Sequence, residues 1–244
     1  MTPISFASFR SSPIISVHEA LGADFLIWNQ MPVPKSYCKG VESEHKTIRN
    51  AAGLTDMSGI KKIWLKGEGA LEVIDFLITR DCNKIKPGSA AYTALLDENG
   101  NLVDDAIVFH LSPQESDKFD ATWLICFGAG FGVEYLTKSL QDSKVVARAD
   151  DNKVCLMLQG PYAETVMKRV VKGGLTKNLG RFDHGLFSIL DSDVMIARTS
   201  YSGEDGFEIF AESHDAVHIW DYLIANGALP VGFDAIDIAR IEAG

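Results

Sequence analysis

The 244-residue sequence has little positive charge and no long uninterrupted apolar stretch. It contains 23 lysine and arginine residues against 33 aspartate and glutamate residues, so the formal net charge is −10. Non-specific binding to nucleic acid or to an anionic membrane needs a basic surface, and this balance argues against both partners. The apolar stretches are as short as a strand or end at glycines, as in residues 121–132, which predicts no bilayer-spanning helix.

Cysteine is also scarce. The four cysteines, Cys38, Cys82, Cys126 and Cys155, are widely spaced and form no Cys-x-x-Cys pair. Cys126 and Cys155 lie within apolar runs, where a cysteine packs as a small hydrophobic residue. The pattern indicates structural thiols in a reducing compartment. The N-terminal residues lack the apolar core of a secretory signal, so we expect a cytoplasmic protein.

Short helices and strands alternate irregularly along the chain. Helices are predicted over 42–52, 70–77, 133–141, 162–171, 215–225 and 236–243, and strands over 61–66, 121–127, 153–158 and 194–199. Residues 89–96 and 102–111 predict a β-hairpin, with Asn99-Gly100 in its turn supplying positive φ angles. Hairpins mixed with single helices favour an α+β fold with antiparallel sheets and flanking helices.

One glycine-rich segment, Gly128-Ala-Gly-Phe-Gly132, joins a predicted strand to a predicted helix, and Asp150 follows about twenty residues later. This is the outline of a dinucleotide-binding loop. The third glycine comes one position early, however, and no βαβ unit precedes the segment. A tight strand-to-helix turn is the preferred interpretation, and a nicotinamide-dependent dehydrogenase is the alternative.

Acidic residues interrupt two predicted apolar strands. Asp104 and Asp105 follow each other in one strand, so their side chains face opposite sides of the sheet. Glu208 lies between Phe207 and Ile209 in the other. Burying a carboxylate is costly unless it is paired or used, so these are candidate functional residues, with a hydrogen-bonded structural role as the alternative. A carboxylate such as Glu208 can accept two parallel N–H bonds from a flat amidine-like group.

No metal-binding motif accompanies these acids. His214 and His218 are four residues apart on a predicted helix, without the His-Glu-x-x-His pattern of a zinc site. We expect a solvated or helix-packing pair.

Seven collinear segments spread over nearly the whole chain carry a resemblance to a known family. They begin at Ser12, Glu44, Phe76, Ala91, Leu158, Tyr201 and Arg240. Together they resemble the glycine cleavage T-protein (aminomethyltransferase) family, which includes tetrahydrofolate-dependent demethylases such as dimethylsulfoniopropionate demethylase.

The resemblance implies a fold in which folate binds at the centre of three lobes. Residues 1–52 and 150–244 would form a discontinuous first lobe, and residues 53–149 an inserted second lobe. The third lobe, a C-terminal β domain, would follow the segment 240–244 and is absent from the sequence. We therefore expect a truncated chain.

The resemblance also implies site residues. Asp105 matches the catalytic aspartate beside the folate nitrogen that receives the carbon, and Glu208 matches the carboxylate that holds the pterin edge. Tyr92 and Tyr201 match folate-contacting aromatic residues. Asp104 faces the other side of its strand, so we expect it to contribute little to turnover.

The sequence departs from the T-protein pattern at positions that contact folate. Ile236 replaces an arginine, Phe109 replaces a tyrosine, and Phe127 and Gly130 replace asparagines. Residues 28–31 are closer to dimethylsulfoniopropionate demethylase, whereas residues 201–208 are closer to the T-protein. The donor of the methyl or aminomethyl group, a small molecule or a lipoyl carrier protein, stays open. The alternative function is a non-catalytic folate-binding protein of the iron–sulfur assembly type.

Overall fold

A computed structural model describes residue 4 and residues 6–141, 143–175 and 179–244. The chain divides into two compact units. The inserted unit contains Ile60–Asp151 and the described residues up to Ser8; the flanking unit contains Phe9–Gly59 and Asn152–Gly244. The helices are α1 (Ile15–Ala20), α2 (Val41–Asn50), α3 (Ala70–Leu77), α4 (Pro113–Phe119), α5 (Gly132–Ser139), α6 (Ala163–Val170), α7 (Ala216–Ala225) and α8 (Phe233–Ala243). The strands are β1 (Asp24–Trp28), β2 (Met31–Ser36), β3 (Gly53–Asp56), β4 (Lys61–Lys66), β5 (Ser89–Leu96), β6 (Leu102–His110), β7 (Trp123–Phe127), β8 (Val146–Ala149), β9 (Lys153–Gln159), β10 (His184–Ile189), β11 (Ser192–Ala197), β12 (Gly206–Glu212) and β13 (Leu229–Pro230).

The inserted unit is built on a five-stranded antiparallel sheet in the order β5-β6-β7-β4-β8. Alternate residues of the strands, such as Val108 and Ile125, form a buried core with α3 and α5, to which Ile74 and Leu136 contribute. Asp105 lies on the opposite face of β6 from Val108, because successive strand residues alternate. The core therefore leaves Asp105 on the other side of the sheet.

The predicted β5–β6 hairpin is confirmed, but its turn differs from the expectation. Gly100 has a φ of 82°, whereas Asn99 is not in the positive-φ region. The Asp97 carboxylate accepts N–H bonds from Asn99 and Asn101 at 2.9 and 2.8 Å. The aspartate thus holds the turn, and a single positive φ is enough.

The flanking unit contains a six-stranded sheet in the order β10-β11-β12-β9-β3-β13. The sheet is antiparallel except for the two-residue pairing of β13 with β3, which is parallel. Its core includes residues of α6 and α7, among them Met167 and Trp220, and β1 pairs with β2 as a separate hairpin. These features confirm the predicted α+β fold with antiparallel sheets and flanking helices.

The unit boundaries differ from the predicted limits of 1–52, 53–149 and 150–244. Strand β3 pairs with β9 in the flanking unit, so the first crossover falls between Gly59 and Ile60. Ile4 and Phe6 pack against the core of the inserted unit, which draws the N-terminal residues to it. The second crossover, between Asp151 and Asn152, lies close to the predicted position.

The structure also bears on the predictions for the histidine pair and for the cysteines. His214 precedes α7, so it does not share a helix face with His218, and both side chains are exposed. None of the four cysteines, all of them described, forms a disulfide; Cys126 and Cys155 are buried as predicted, whereas Cys38 is exposed. Residues 113–119 form a helix that the sequence reading did not include, although Ser112 and Glu115 form a capping box there.

Candidate functional site

The glycine-rich segment is a tight turn between β7 and α5, packed against the two aspartates of β6. A Cβ atom on Gly128 would lie 2.2 Å from Asp105 Oδ1, and one on Gly130 would lie 2.2 Å from the Val103 carbonyl oxygen. A Cβ atom on Gly132 would lie 2.3 Å from the Phe127 ring. A side chain at any of these three positions would collide with neighbouring atoms, so the close packing of the turn requires glycine.

Asp104 is buried and its carboxylate points into this turn. It accepts N–H bonds from Gly130 and Gly132, each at 3.0 Å, and from the Asp105 backbone at 2.9 Å. The carboxylate occupies the amino end of α5, where a dinucleotide-binding loop would hold a phosphate. Because this charge would repel a phosphate, the geometry argues against the nicotinamide alternative.

Asp105 is partly exposed, in contrast to Asp104. The Tyr92 hydroxyl, on the neighbouring strand β5, donates to Asp105 Oδ2 at 2.7 Å. Tyr92 is itself 51% exposed, so the pair is open to solvent. The structure therefore brings together the predicted residues Tyr92 and Asp105, and presents one oriented carboxylate on the face of the sheet away from the core.

Glu208 lies in the middle of β12, between neighbouring strands, and is 7% exposed. Burial raises the pKa of Glu208 to about 7, and the adjacent Thr199 hydroxyl opposes part of this shift. That hydroxyl is close to Glu208 but is buried without a hydrogen bond of normal geometry. Among the described residues, no basic side chain forms an ion pair with Glu208. The negative charge of the ionised Glu208 carboxylate is thus poorly compensated within the fold. Its oxygens can still accept hydrogen bonds.

Gln159, at the end of β9, holds the turn that carries the predicted residue Tyr201. Its Oε1 atom accepts bonds from the Ser200 and Ser202 hydroxyls at 3.0 and 2.8 Å and from the Tyr201 N–H at 3.2 Å. Its Nε2 atom donates to the Thr199 carbonyl at 3.2 Å. Sequence reasoning missed this residue; the available signal was an amide side chain directly after the predicted apolar strand, in the segment that begins at Leu158.

Arg49 secures the same turn from the other side. Its guanidinium donates to the Ser202 carbonyl and to Glu204, both at 2.9 Å, and to the Ala239 carbonyl in α8 at 3.1 Å. It also pairs with Glu242. The turn around Tyr201 is therefore fixed by side chains from β9 and α2.

A second buried polar cluster in the flanking unit surrounds Asp56. Its carboxylate accepts bonds from the hydroxyls of Ser12 and Ser58, both at 2.5 Å, and lies 3.0 Å from His18 Nε2. The Tyr37 hydroxyl lies 2.9 Å from the other nitrogen of His18. These contacts tie the start of the chain and β2 to strand β3, so the cluster is structural.

The residues from 14 to 244 match the family model described as the GCVT N-terminal domain. This match covers nearly the whole chain. The chain belongs to the GCVT family. The resemblance of the seven segments to the T-protein is thereby confirmed.

The relatives of this GCVT chain include an N-demethylase subunit and aminomethyltransferases. It is 37% identical over 240 residues to the heme-dependent oxidative N-demethylase gamma subunit of Ectopseudomonas mendocina, covering 97% of this chain and 61% of that protein. It is 32% identical to the aminomethyltransferase of Deinococcus deserti, covering all of this chain and 67% of that protein. The GCVT chain thus spans about three-fifths to two-thirds of these relatives.

A solved relative supports the same fold. The glycine cleavage system aminomethyltransferase T of Bartonella henselae matches with a TM-score of 0.82 and 29% identity, over 97% of this chain and 63% of that structure. The predicted α+β class therefore agrees with an experimental structure of the family.

Three of the four departures from the T-protein pattern occupy buried positions in the GCVT chain, and the fourth, Gly130, is partly exposed. Ile236, Phe109 and Phe127 are all fully buried. Phe127 belongs to the core of the inserted unit and pairs with Ala106, on the opposite face of the sheet from Asp105. Phe127 therefore contributes to core packing.

The described residues contain no helix that is both long and apolar enough to cross a membrane. They also contain no group of three or more histidine, cysteine, aspartate or glutamate side chains arranged to hold a metal ion.

Proposed function

We propose that this chain carries the folate-binding and catalytic residues of a T-protein-like enzyme that transfers a one-carbon unit to tetrahydrofolate. The observation that carries the proposal is the Tyr92–Asp105 pair, an oriented and partly exposed carboxylate beside an exposed tyrosine. Family membership supports a transferase of this type. Tetrahydrofolate supplies the nitrogen that accepts the carbon.

Glu208 fits the pterin part of this ligand. The pterin edge presents two adjacent N–H donors, and a carboxylate can accept both in parallel. Glu208 has no competing cation among the described residues, and Thr199 Oγ1 offers a second buried polar atom beside it. Tyr201, on the turn held by Gln159, supplies an aromatic ring for contact with the ligand.

Asp105 stabilises a positive charge and accepts a proton. When the accepting nitrogen bonds to the one-carbon unit, the bond from that carbon to its donor breaks, and the electron pair leaves with the donor. The Asp105 carboxylate stabilises the positive charge at the nitrogen and takes its proton, and the departing donor, which holds the electron pair, receives a proton in return. The Tyr92 hydroxyl orients the carboxylate through Oδ2 and Oδ1 packs against Gly128, and the carboxylate keeps unused lone pairs for that contact.

We further propose that the one-carbon unit arrives bound to nitrogen. The names of the relatives, aminomethyltransferase and N-demethylase, both describe such a group. This favours a methylated amine or an aminomethyl-lipoyl carrier protein over a methylated sulfonium compound. The three donors can be compared directly.

The decisive experiment replaces Asp105 with asparagine in an assay that follows transfer from these donors to tetrahydrofolate. We expect turnover to fall by about 100- to 1,000-fold, the effect of one preorganised electrostatic contact, with tetrahydrofolate affinity nearly unchanged. Glu98→Gln, an exposed charge in the adjacent hairpin turn, is the matched control. Unchanged turnover in Asp105→Asn would contradict the catalytic assignment. Tetrahydrofolate binding without transfer from any donor would favour a non-catalytic folate-binding protein.

A further inference from the structure

We infer that Asp104 is a positioning residue for Asp105. The inference rests on the proposed role of Asp105 and replaces the expectation that Asp104 has little influence on turnover. Asp104 faces away from the site, but its carboxylate binds the backbone that carries Asp105.

The backbone of Asp105 is fixed on both sides. Its N–H donates to Asp104 Oδ1 at 2.9 Å, and its carbonyl oxygen accepts the N–H of Gly128 at 3.0 Å. The Asp105 side chain lies directly over Gly128, where no Cβ atom fits. The Asp104 carboxylate therefore holds the N–H of Asp105, and the glycine turn holds its carbonyl oxygen and one of its carboxylate oxygens.

The glycine turn is in turn held by Asp104. Oδ1 accepts a second bond from the Gly130 N–H, and Oδ2 accepts the Gly132 N–H, both at 3.0 Å. Because Asp104 is buried, water cannot readily replace these bonds. One carboxylate thus connects the strand that carries Asp105 to the turn against which Asp105 packs.

Loss of this connection would allow the Asp105 carboxylate to shift relative to the atoms on which it acts. A displacement of about 1 Å in a catalytic group can cost roughly 100-fold in rate. Asp104→Asn keeps one oxygen, which can still accept two of the three bonds, but its amide group cannot accept the third. Asp104→Ala loses all three. We expect turnover to fall by about tenfold in Asp104→Asn and about 100-fold in Asp104→Ala, with the KM for tetrahydrofolate nearly unchanged.

The first measurement needs neither folate nor a donor. Amide hydrogen exchange by NMR in the full chain follows the N–H groups of Asp105, Gly130 and Gly132. In Asp104→Ala we expect exchange at these three amides to accelerate at least tenfold, and more than in Ile74→Ala, a core variant of the same unit. If the Asp105 amide exchanges as in the wild type, the inference is overturned.

The second measurement is a double-mutant cycle on turnover. If Asp104 acts through Asp105, the Asp104→Asn/Asp105→Asn double variant is no slower than Asp105→Asn alone. A product of the two single effects would show that Asp104 acts independently, and would overturn the inference. Ile74→Ala shows how much turnover is lost through destabilisation alone, because it does not touch the site.

The outcomes separate this inference from the proposed function. If Asp105→Asn is slow but both Asp104 variants turn over like the wild type, the positioning role of Asp104 is overturned. The catalytic role proposed for Asp105 then remains intact. Absence of transfer in the wild-type chain contradicts the proposed function, and the exchange measurement then decides whether Asp104 holds the Asp105 backbone.

Discussion

The substitution Glu208→Gln should stabilise the flanking unit at neutral and alkaline pH. Glu208 is buried in β12 and, among the described residues, pairs with no cation, so its ionised form is disfavoured in the fold. Glutamine has nearly the same shape and no charge. The variant should therefore keep the packing of the strand and lose the free-energy cost of burying an ionised carboxylate.

The size of the effect follows from the pKa. Burial raises the pKa of Glu208 from an ordinary 4.5 to about 7 in the folded chain. Below about pH 4.5 the carboxyl is protonated in both states and costs nothing. As pH rises, the unfolded chain releases the proton first, so stability falls until the folded form ionises near pH 7. The loss reaches about 3 kcal/mol at higher pH, and most of it falls between pH 5 and pH 8.

Urea denaturation followed by tryptophan fluorescence at pH 5 and pH 8 measures this. The difference in unfolding free energy between Glu208→Gln and wild type should grow by about 2 to 3 kcal/mol from the lower to the higher pH. Glu19→Gln, an exposed glutamate of α1, should give a constant difference. A pH-independent difference for Glu208→Gln would refute the reasoning. The same variant should bind tetrahydrofolate more weakly by about 1.5–3 kcal/mol, since it loses a charged acceptor.

Two further predictions concern the buried polar residues of the flanking unit. Asp56→Asn should lower the unfolding free energy by about 3 kcal/mol in urea titrations at pH 7, because it breaks a buried charged network. Burial opposes its ionisation, but bonds from His18 and two serines hold the pKa of Asp56 below 3.8, so the wild type should lose this stabilisation only below that pH. Gln159→Leu should release the turn around Tyr201 and weaken tetrahydrofolate binding about tenfold by calorimetry, as expected for loss of about one net hydrogen bond. Unchanged affinity would make Gln159 purely structural.

The sequence alone identified the elements with strong local patterns. Strand β4, helix α3 and the β5–β6 hairpin have the predicted limits or differ by one residue. The amphipathic spacing of α3 and the Asp-Glu-Asn-Gly turn depend on neighbouring residues, so they are visible locally. Helix α1 is six residues long, and its buried residue His18 is held by Asp56, 38 positions away. Such an element depends on distant partners and is not visible in a local window.

Only part of the candidate site could be predicted from the sequence, for the same reason. An acid within an apolar strand is visible from the sequence, so Asp105 and Glu208 could be selected, and the resemblance gave their roles. The side chains that hold them were not visible in this way. The glycine turn comes more than 20 residues after Asp104, and Gln159 is about 40 residues from the turn that it binds. Only the folded sheet brings these partners together.

The two aspartates of β6 show how one dipeptide can serve both stability and chemistry. Alternation along the strand gives each carboxylate a different environment. Asp104 is buried with three N–H donors and completes the glycine turn, whereas Asp105 receives one hydroxyl and faces outward. A carboxylate that already accepts three strong bonds has little capacity left for a ligand, and one that accepts a single bond keeps that capacity. The difference in hydrogen-bonding partners, more than the difference in position, therefore supports the proposal that Asp105 is the reactive acid.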